Sequence, residues 1–290
     1  IVFLIMCIIV TDIKEMKSLV NQLRDKPGSI GFVPTMGALH KGHVSLIKRA
    51  RAENEHVIVS IFVNPVQFDR QDDLLSYPRD FKNDCDIAGK SGTDIIFVPE
   101  AGLMYPDGFV TYVDCKGLSG RLCGADRLGH FKGVATVVIK LFNIVKPHKA
   151  YFGQKDFQQT VIIKRIVNDL NLDVEILILP TVRDNNGLAC SSRNRLLNND
   201  EQLDALCLYE SIKMAGSLIE SGVKDSALII REIVDLINAK KNVKKIDYVS
   251  IVDCDTLQDV TVINGKSVIA LAVWLGNVRL IDNLFIEECE

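Results

Sequence analysis

Ser29-Ile30-Gly31-Phe32-Val33-Pro34-Thr35-Met36-Gly37-Ala38-Leu39-His40-Lys41-Gly42-His43 is where a strand hands over to a helix, and that handover decides the fold. Ser29–Val33 is a short apolar run bounded by turn residues, the pattern of a buried strand. From Val44 to Asn54, Leu46, Ile47 and Ala50 fall at helical spacing, with Lys48, Arg49 and Arg51 outside. His40 and His43 then stand at a helix N-terminus, where free backbone N–H groups and the helix dipole favour anions. Gly37 and Gly42 allow close approach of backbone to phosphate. The pattern suits a triphosphate.

Working outward, apolar runs alternate with helical ones as far as about Pro180. Strands are expected at Ile30–Pro34, Val57–Val63, Ile95–Val98, Ala150–Gly153 and Val174–Leu179. Helices are expected at Ile13–Arg24, His43–Glu55, Asp80–Ser91, Val134–Val145 and Gln158–Leu170. Fully apolar strands between amphipathic helices predict an α/β fold, a parallel sheet covered on both faces. Ligands in such sheets sit at the carboxyl ends of the strands. The turns after Pro34, at Asn64–Gln67 and at Gly153–Asp156 all follow expected strands, so they should converge on one cleft. Beyond Arg193 the texture changes. Helices at Asp200–Glu220 and Ser226–Lys240 precede strands at Ile246–Val252, Val268–Trp274 and Val278–Ile286, the pattern of a small α+β domain. The boundary is expected near Thr181–Asp184, dividing the chain into residues 1–182 and 183–290.

Composition limits the alternatives. The chain has 290 residues, 48% hydrophobic and 24% charged, which fits one large domain or a large and a small one. A net charge of −3 gives no electrostatic reason for a nucleic-acid partner. The local run from Lys240-Lys241 to Lys244-Lys245 reads as a solvated face. Eight cysteines show neither Cys-x-x-Cys nor a zinc spacing, and a reducing, cytoplasmic setting is expected. Cys7, Cys207 and Cys254 read as small core groups. Ile1–Val10 is apolar but too short to span a bilayer, and no signal-peptide pattern is present. Met6 is read as a start, residues 1–5 as extraneous, and Cys7–Val10 as a first strand or lead-in.

Further motifs follow in order: Phe62-Val63-Asn64-Pro65-Val66-Gln67-Phe68, Tyr77-Pro78-Arg79, Tyr151-Phe152-Gly153-Gln154-Lys155-Asp156-Phe157-Gln158-Gln159, and Asp184-Asn185-Asn186-Gly187-Leu188-Ala189-Cys190-Ser191-Ser192-Arg193-Asn194. Together with the histidine turn they resemble the pantothenate synthetase (pantoate–β-alanine ligase) family, from about residue 10 to Asp282-Asn283. The resemblance implies a Rossmann-like, nucleotidylyltransferase-type domain with a smaller C-terminal domain. It also implies ATP-dependent joining of pantoate to β-alanine through pantoyl adenylate, releasing AMP and pyrophosphate. It further implies a homodimer and Mg²⁺ with the triphosphate. No protein metal ligand is specified, although Asp84 is a conceivable partner of the ion's waters.

By the same resemblance, the ATP-binding residues are Met36, Gly37, Ala38, Leu39, His40, Lys41, Gly42, His43, Gly153, Gln154, Lys155, Asp156, Val182, Cys190, Ser191, Ser192 and Arg193. His43 is the implied proton donor, and His40, Lys155 and Arg193 complete the catalytic set. Lys155 supplies a mobile point charge and Arg193 a fixed fork for phosphate. Gln67 and Gln159 map onto pantoate-holding glutamines, since an amide offers donor and acceptor to a substrate with two hydroxyls. Asn64 and Arg127 are further pocket candidates. Three positions depart from the family pattern: Gln154 for Glu, Cys190 for Met or Leu, and Leu128 for Pro in Arg127-Leu128-Gly129-His130-Phe131. Cys190 raises the expectation of sensitivity to oxidants. Alternatives are a cytidylyl- or adenylyltransferase, an aminoacyl-tRNA ligase, and a non-catalytic nucleotide sensor. The first wants extra cations for an acceptor phosphate, the second a basic RNA-reading face, and the third a lost catalytic group.

Overall fold

The computed structural model describes residues 7–287; the proposed start at Met6 and the reading of residues 1–5 lie outside them. Six strands form one parallel sheet in the order β1-β4-β3-β2-β5-β6. They are β1 (Ile8–Val10), β2 (Ile30–Thr35), β3 (His56–Ile61), β4 (Ile95–Phe97), β5 (Lys149–Gly153) and β6 (Glu175–Leu179). Between them run α1 (Ile13–Arg24), α2 (Lys41–Glu53), α3 (Gln71–Ser76), α4 (Phe81–Ser91), α5 (Ala101–Met104), α6 (Cys123–Asp126), α7 (His130–Val145) and α8 (Phe157–Asp169).

Alternation of side chains explains the doubly covered sheet. Phe32, Ile58, Phe97 and Phe152 project into one core with α1, α7 and α8. Val33, Val59, Ile96 and Tyr151 project to the other face, under Leu46, Ile47 and Ala50 of α2 and Ala88 of α4. Each such Val, Leu, Ile or Phe side chain, when fully buried, stabilises the fold by about 1.5–3 kcal/mol. Strand order reverses at β2 and β5, whose neighbours lead to opposite edges of the sheet. The loops leaving the carboxyl ends of those two strands therefore splay apart and leave a crevice.

The second sheet is antiparallel, β7 (Val243–Asp253), β8 (Ser267–Leu275) and β9 (Val278–Ile286), with α9 (Asn199–Glu220) and α10 (Ser226–Asn238) beside it. Ile212, Ile233, Ile269 and Leu271 anchor its own core. Val252, Cys254, Leu257 and Val268 instead join the core of the first sheet, so packing is continuous across the change of architecture. Of the cysteines expected in the core, Cys207 and Cys254 are buried, whereas Cys7 is half-buried.

Candidate active site

Four loops leave the carboxyl ends of β2, β3, β5 and β6 on the same edge of the sheet. They meet around a cavity of about 230 Å³ lined by residues of each, among them His40, Gln67, Lys155 and Val182. The convergence expected from strand ends is present.

The β2 loop is the most constrained. Gly37 adopts φ 81° and Ala38 φ 49°, so the chain doubles back through the left-handed region before α2 begins. A Cβ on Gly37 would also lie 2.9 Å from Asp84 Oδ2. Asp84, buried on α4, accepts the Ala38 N–H at 2.8 Å and the Leu39 N–H at 2.7 Å. Its carboxylate thus pins the turn. Asp84 is engaged by backbone and lies outside the cavity lining. Arg195 Nη2 donates to Leu39 O at 3.4 Å from the far side of the cleft.

The helix starts at Lys41, two residues before the expected His43, because His40 is its N-cap. His40 Nδ1 accepts the Gly42 N–H at 3.1 Å, and His43 Nδ1 accepts the His40 N–H at 3.3 Å. This capping box of two imidazoles leaves neither Nδ1 with a proton, so each neutral ring carries its hydrogen on Nε2. Their centroids are 4.1 Å apart. Burial, then Lys155, pushes the pKa of His40 down to about 4. Burial, then His40 and Lys155, pushes that of His43 down to about 3. Near neutral pH the pair therefore presents two Nε2–H donors and no fixed charge.

On β5's side, Lys155 and Asp156 line the cavity while Gln154 turns away from it. The turn is held from β9: Asn283 Nδ2 donates to Gln154 O at 3.0 Å and Lys155 O at 2.9 Å. Gln154 Nε2 donates to Asn283 Oδ1 at 3.3 Å, a bond that suits the amide found in place of the family's Glu. Asp282, next in the strand, takes both Nη groups of Arg183 at 2.7 and 2.9 Å. Of the glutamine pair, Gln159 lines the cavity, and Gln158 is buried against Leu118 O and Arg121 O.

Gln67 follows β3 in a short 3₁₀ turn packed on α7. A Cβ on Gly133 would come within 2.6 Å of Val66 O, so only glycine permits that approach. Asn64 lies behind Gln67 and outside the cavity lining; its Nδ2 donates to Gln67 Oε1 at 3.0 Å and Gly133 O at 3.1 Å. Arg127 Nη1 donates to His130 Nε2 at 3.4 Å, which leaves His130 Nδ1–H to donate to Gln67 O at 2.7 Å. Burial, then the Arg127 charge, pushes the pKa of His130 down to about 3. Asn64, Arg127 and His130 thus form a cradle for Gln67.

Val182, Cys190, Ser191, Ser192 and Arg193 close the far wall, and Met36, Gly42 and Gly153 line it too. Gly37, Ala38, Leu39 and Lys41 do not; they shape the turn or face outward. Burial raises the Cys190 thiol pKa, which disfavours the reactive thiolate. Arg195 went unrecognised in sequence, and Asp282 and Asn283 entered only as the end of the resemblance, because their contacts span about a hundred residues or more with no local pattern. His130 and Tyr77 stood inside quoted motifs without a role; Tyr77 OH accepts from Ser192 Oγ at 3.4 Å.

Residues 8–285 match the family model described as pantoate-beta-alanine ligase. Among curated relatives, the pantothenate synthetase of Thermotoga petrophila is 52% identical, covering 95% of this chain and 98% of the relative. That of Caldicellulosiruptor saccharolyticus is 49% identical, covering 97% and 99%. Among solved structures, the pantothenate synthetase of Thermus thermophilus superposes with a TM-score of 0.90 at 38% identity, covering 97% of this chain and 99% of that one. The pantoate-beta-alanine ligase of Francisella tularensis, complexed with beta-gamma ATP and beta-alanine, gives a TM-score of 0.82 at 39% identity, covering 96% and 97%.

Proposed function

The chain belongs to the pantoate–β-alanine ligase family, and on that premise we propose how its cleft joins pantoate to β-alanine with ATP. The carrying observation is the meeting of two imidazole Nε2–H donors, Lys155 and Ser191–Arg193 around one cavity at the switch point of the sheet. In the first half-reaction a pantoate carboxylate oxygen attacks the α-phosphorus, and the bond to pyrophosphate breaks. His40 and His43 donate to phosphate oxygens, Lys155 follows the migrating charge, and Ser191, Ser192 and Arg193 hold the β- and γ-phosphates. His43 begins as a neutral hydrogen-bond donor; a triphosphate beside it raises its pKa toward the range where it transfers a proton. Asp156 suits the ribose hydroxyls and the Val182 backbone the adenine. Gln67 and Gln159 hold the pantoate hydroxyls, with Asn64 and Arg127 acting through Gln67.

In the second half-reaction the β-alanine amine attacks the acyl carbon, the C–N bond forms, and the C–O bond to phosphate breaks to release AMP. Adenylate phosphate or a neutral imidazole takes the ammonium proton. Magnesium would enter with ATP and would supply positive charge to neutralise the leaving pyrophosphate. Among the described residues no three His, Cys, Asp or Glu side chains are grouped to hold a metal. Residues 183–290 act as the lid, excluding water from the adenylate. A homodimer in the cytoplasm belongs to the same proposal. The free state of every described cysteine suits a reducing compartment, and no described helix is long and apolar enough to cross a membrane.

The test follows oxygen. Pantoate labelled with ¹⁸O in its carboxylate must deliver one label to AMP and keep the other in pantothenate. Label found in pyrophosphate, or unlabelled AMP, would overturn the adenylate route.

A further inference from the structure

Arg193 lines two adjoining cavities: the inner one with the histidines, and a wider outer one of about 1130 Å³. Its Nη2 is drawn to Asp73 in α3, at 3.1 Å from Oδ1 and 2.9 Å from Oδ2. Asp73 lines the outer cavity and is not among the inner lining. The same carboxylate stands 3.6 Å from Arg127 Nη2, and Asp69 Oδ1 takes Arg127 Nε at 3.1 Å. Asp72, the neighbouring acid, is bound to Arg70 instead. Two guanidiniums at the mouth of the inner cavity are thus neutralised by Asp69 and Asp73, and Asp73 is the one that reaches both.

A triphosphate that takes Arg193 meets this carboxylate twice over. It must detach the guanidinium from Asp73, and it must bring its own negative charge beside the carboxylate that is left. Resting on the assignment of Arg193 to the β- and γ-phosphates, we propose that Asp73 competes with those phosphates for Arg193. It thereby limits affinity for the triphosphate arm and recaptures the arginine as pyrophosphate leaves. Asp73 touches neither substrate; it is a positioning residue that acts through Arg193. AMP carries no β- or γ-phosphate, so its affinity is set elsewhere.

The test compares D73N with the unaltered chain by calorimetry, using magnesium with a non-hydrolysable ATP analogue and, separately, AMP. Half-exposed ion pairs bring modest effects, so the analogue is expected to bind roughly two- to fivefold more tightly to D73N. AMP binding should not change, and magnesium pyrophosphate should inhibit more strongly by the same factor. D73S, which also removes the charge and suits a first helical turn, should repeat the result if D73N proves too unstable. Analogue affinity unchanged or weakened in both variants would overturn the proposal, as would equal tightening of AMP. Lack of pantoate-dependent ATP–pyrophosphate exchange by the unaltered chain would instead overturn the assignment beneath it.

Discussion

Replacing Asp84 should damage the histidine turn from beneath without touching any substrate. Its carboxylate accepts two backbone N–H groups at 2.8 and 2.7 Å and is 1% exposed. Asp84→Ala leaves both donors buried and unpaired, each costing about 1–3 kcal/mol, so a loss of about 2–6 kcal/mol in folding stability is expected. Asp84→Asn keeps one acceptor but turns an NH₂ group toward the other N–H, so about half that loss is expected. The turn also places the capping box, since Leu39 immediately precedes His40. A shift of the imidazoles by about 1 Å lowers the rate of adenylation by on the order of 10²-fold. Urea titration gives the first quantity, and single-turnover adenylate formation with saturating ATP and pantoate gives the second. A D84N protein within about 0.5 kcal/mol of the original by urea midpoint, with unchanged single-turnover rate, would show that this carboxylate does not hold the turn.

Other consequences can be measured alongside. Gly133→Ala forces a methyl within 2.6 Å of Val66 O, so the Gln67 turn must move; KM for pantoate should rise well before KM for ATP does. His130→Gln should likewise raise KM for pantoate, since it cuts the link from Arg127 to Gln67 O. His40, His43 and His130 are held neutral in the fold, with pKa values pushed down to about 4, 3 and 3. The unfolded chain therefore takes up protons first as pH falls below about 6.5, so their contribution is complete above that pH and is lost toward about pH 3–4. Unfolding free energies from urea titration should drop between about pH 6.5 and 4, by at most about 1.4 kcal/mol per pH unit for each histidine. A flat profile in H130Q relative to the original chain is not expected; only a shallower one is. Asn283→Ala should loosen the Lys155 turn and weaken ATP binding while leaving pantoate affinity close to its original value.

The sheet was legible because its strands are buried on both faces, so Ile30–Pro34 and Ala150–Gly153 read as near-continuous apolar runs whichever way their side chains point, each within a residue of the observed strand. Their carboxyl ends then located the cleft. Boundaries failed where a cap came from an unusual residue. His40 is outside the customary Ser, Thr, Asp and Asn set, which moved the expected start of α2 to His43. The helix α7 begins at His130, a full turn before its apolar run, because Gly129 at φ 79° supplies the entry without a side-chain cap. The expected strand to Val63 ends at Ile61, where the chain turns toward Asn64. Short helices such as α5 and α6 contain too few residues to show a period.

At the site, motif and resemblance named most of the groups that line the cavity but gave no supporting role to those that hold them. Asp84 to Ala38 spans 46 residues and Asn283 to Gln154 spans 129, distances over which one sequence carries no pairing signal. Asn64 and Arg127 were expected beside substrate; Arg127 does line the cavity, while also tied to Asp69, Asp73 and His130, whereas Asn64 lies beneath Gln67 and outside the lining. Polar residues near a cleft look alike in sequence whether they face a ligand or the residue that does.

Everything proposed for this cleft depends on its making an acyl adenylate before the amine arrives. Exchange of labelled pyrophosphate into ATP, with magnesium and with pantoate present or absent, reads that step alone. Exchange should require pantoate, need no β-alanine, and be abolished when His40 and His43 are both replaced by alanine. Exchange without pantoate, none with it despite measurable ATP binding, or full exchange in the double variant would mean that the chemistry runs another way.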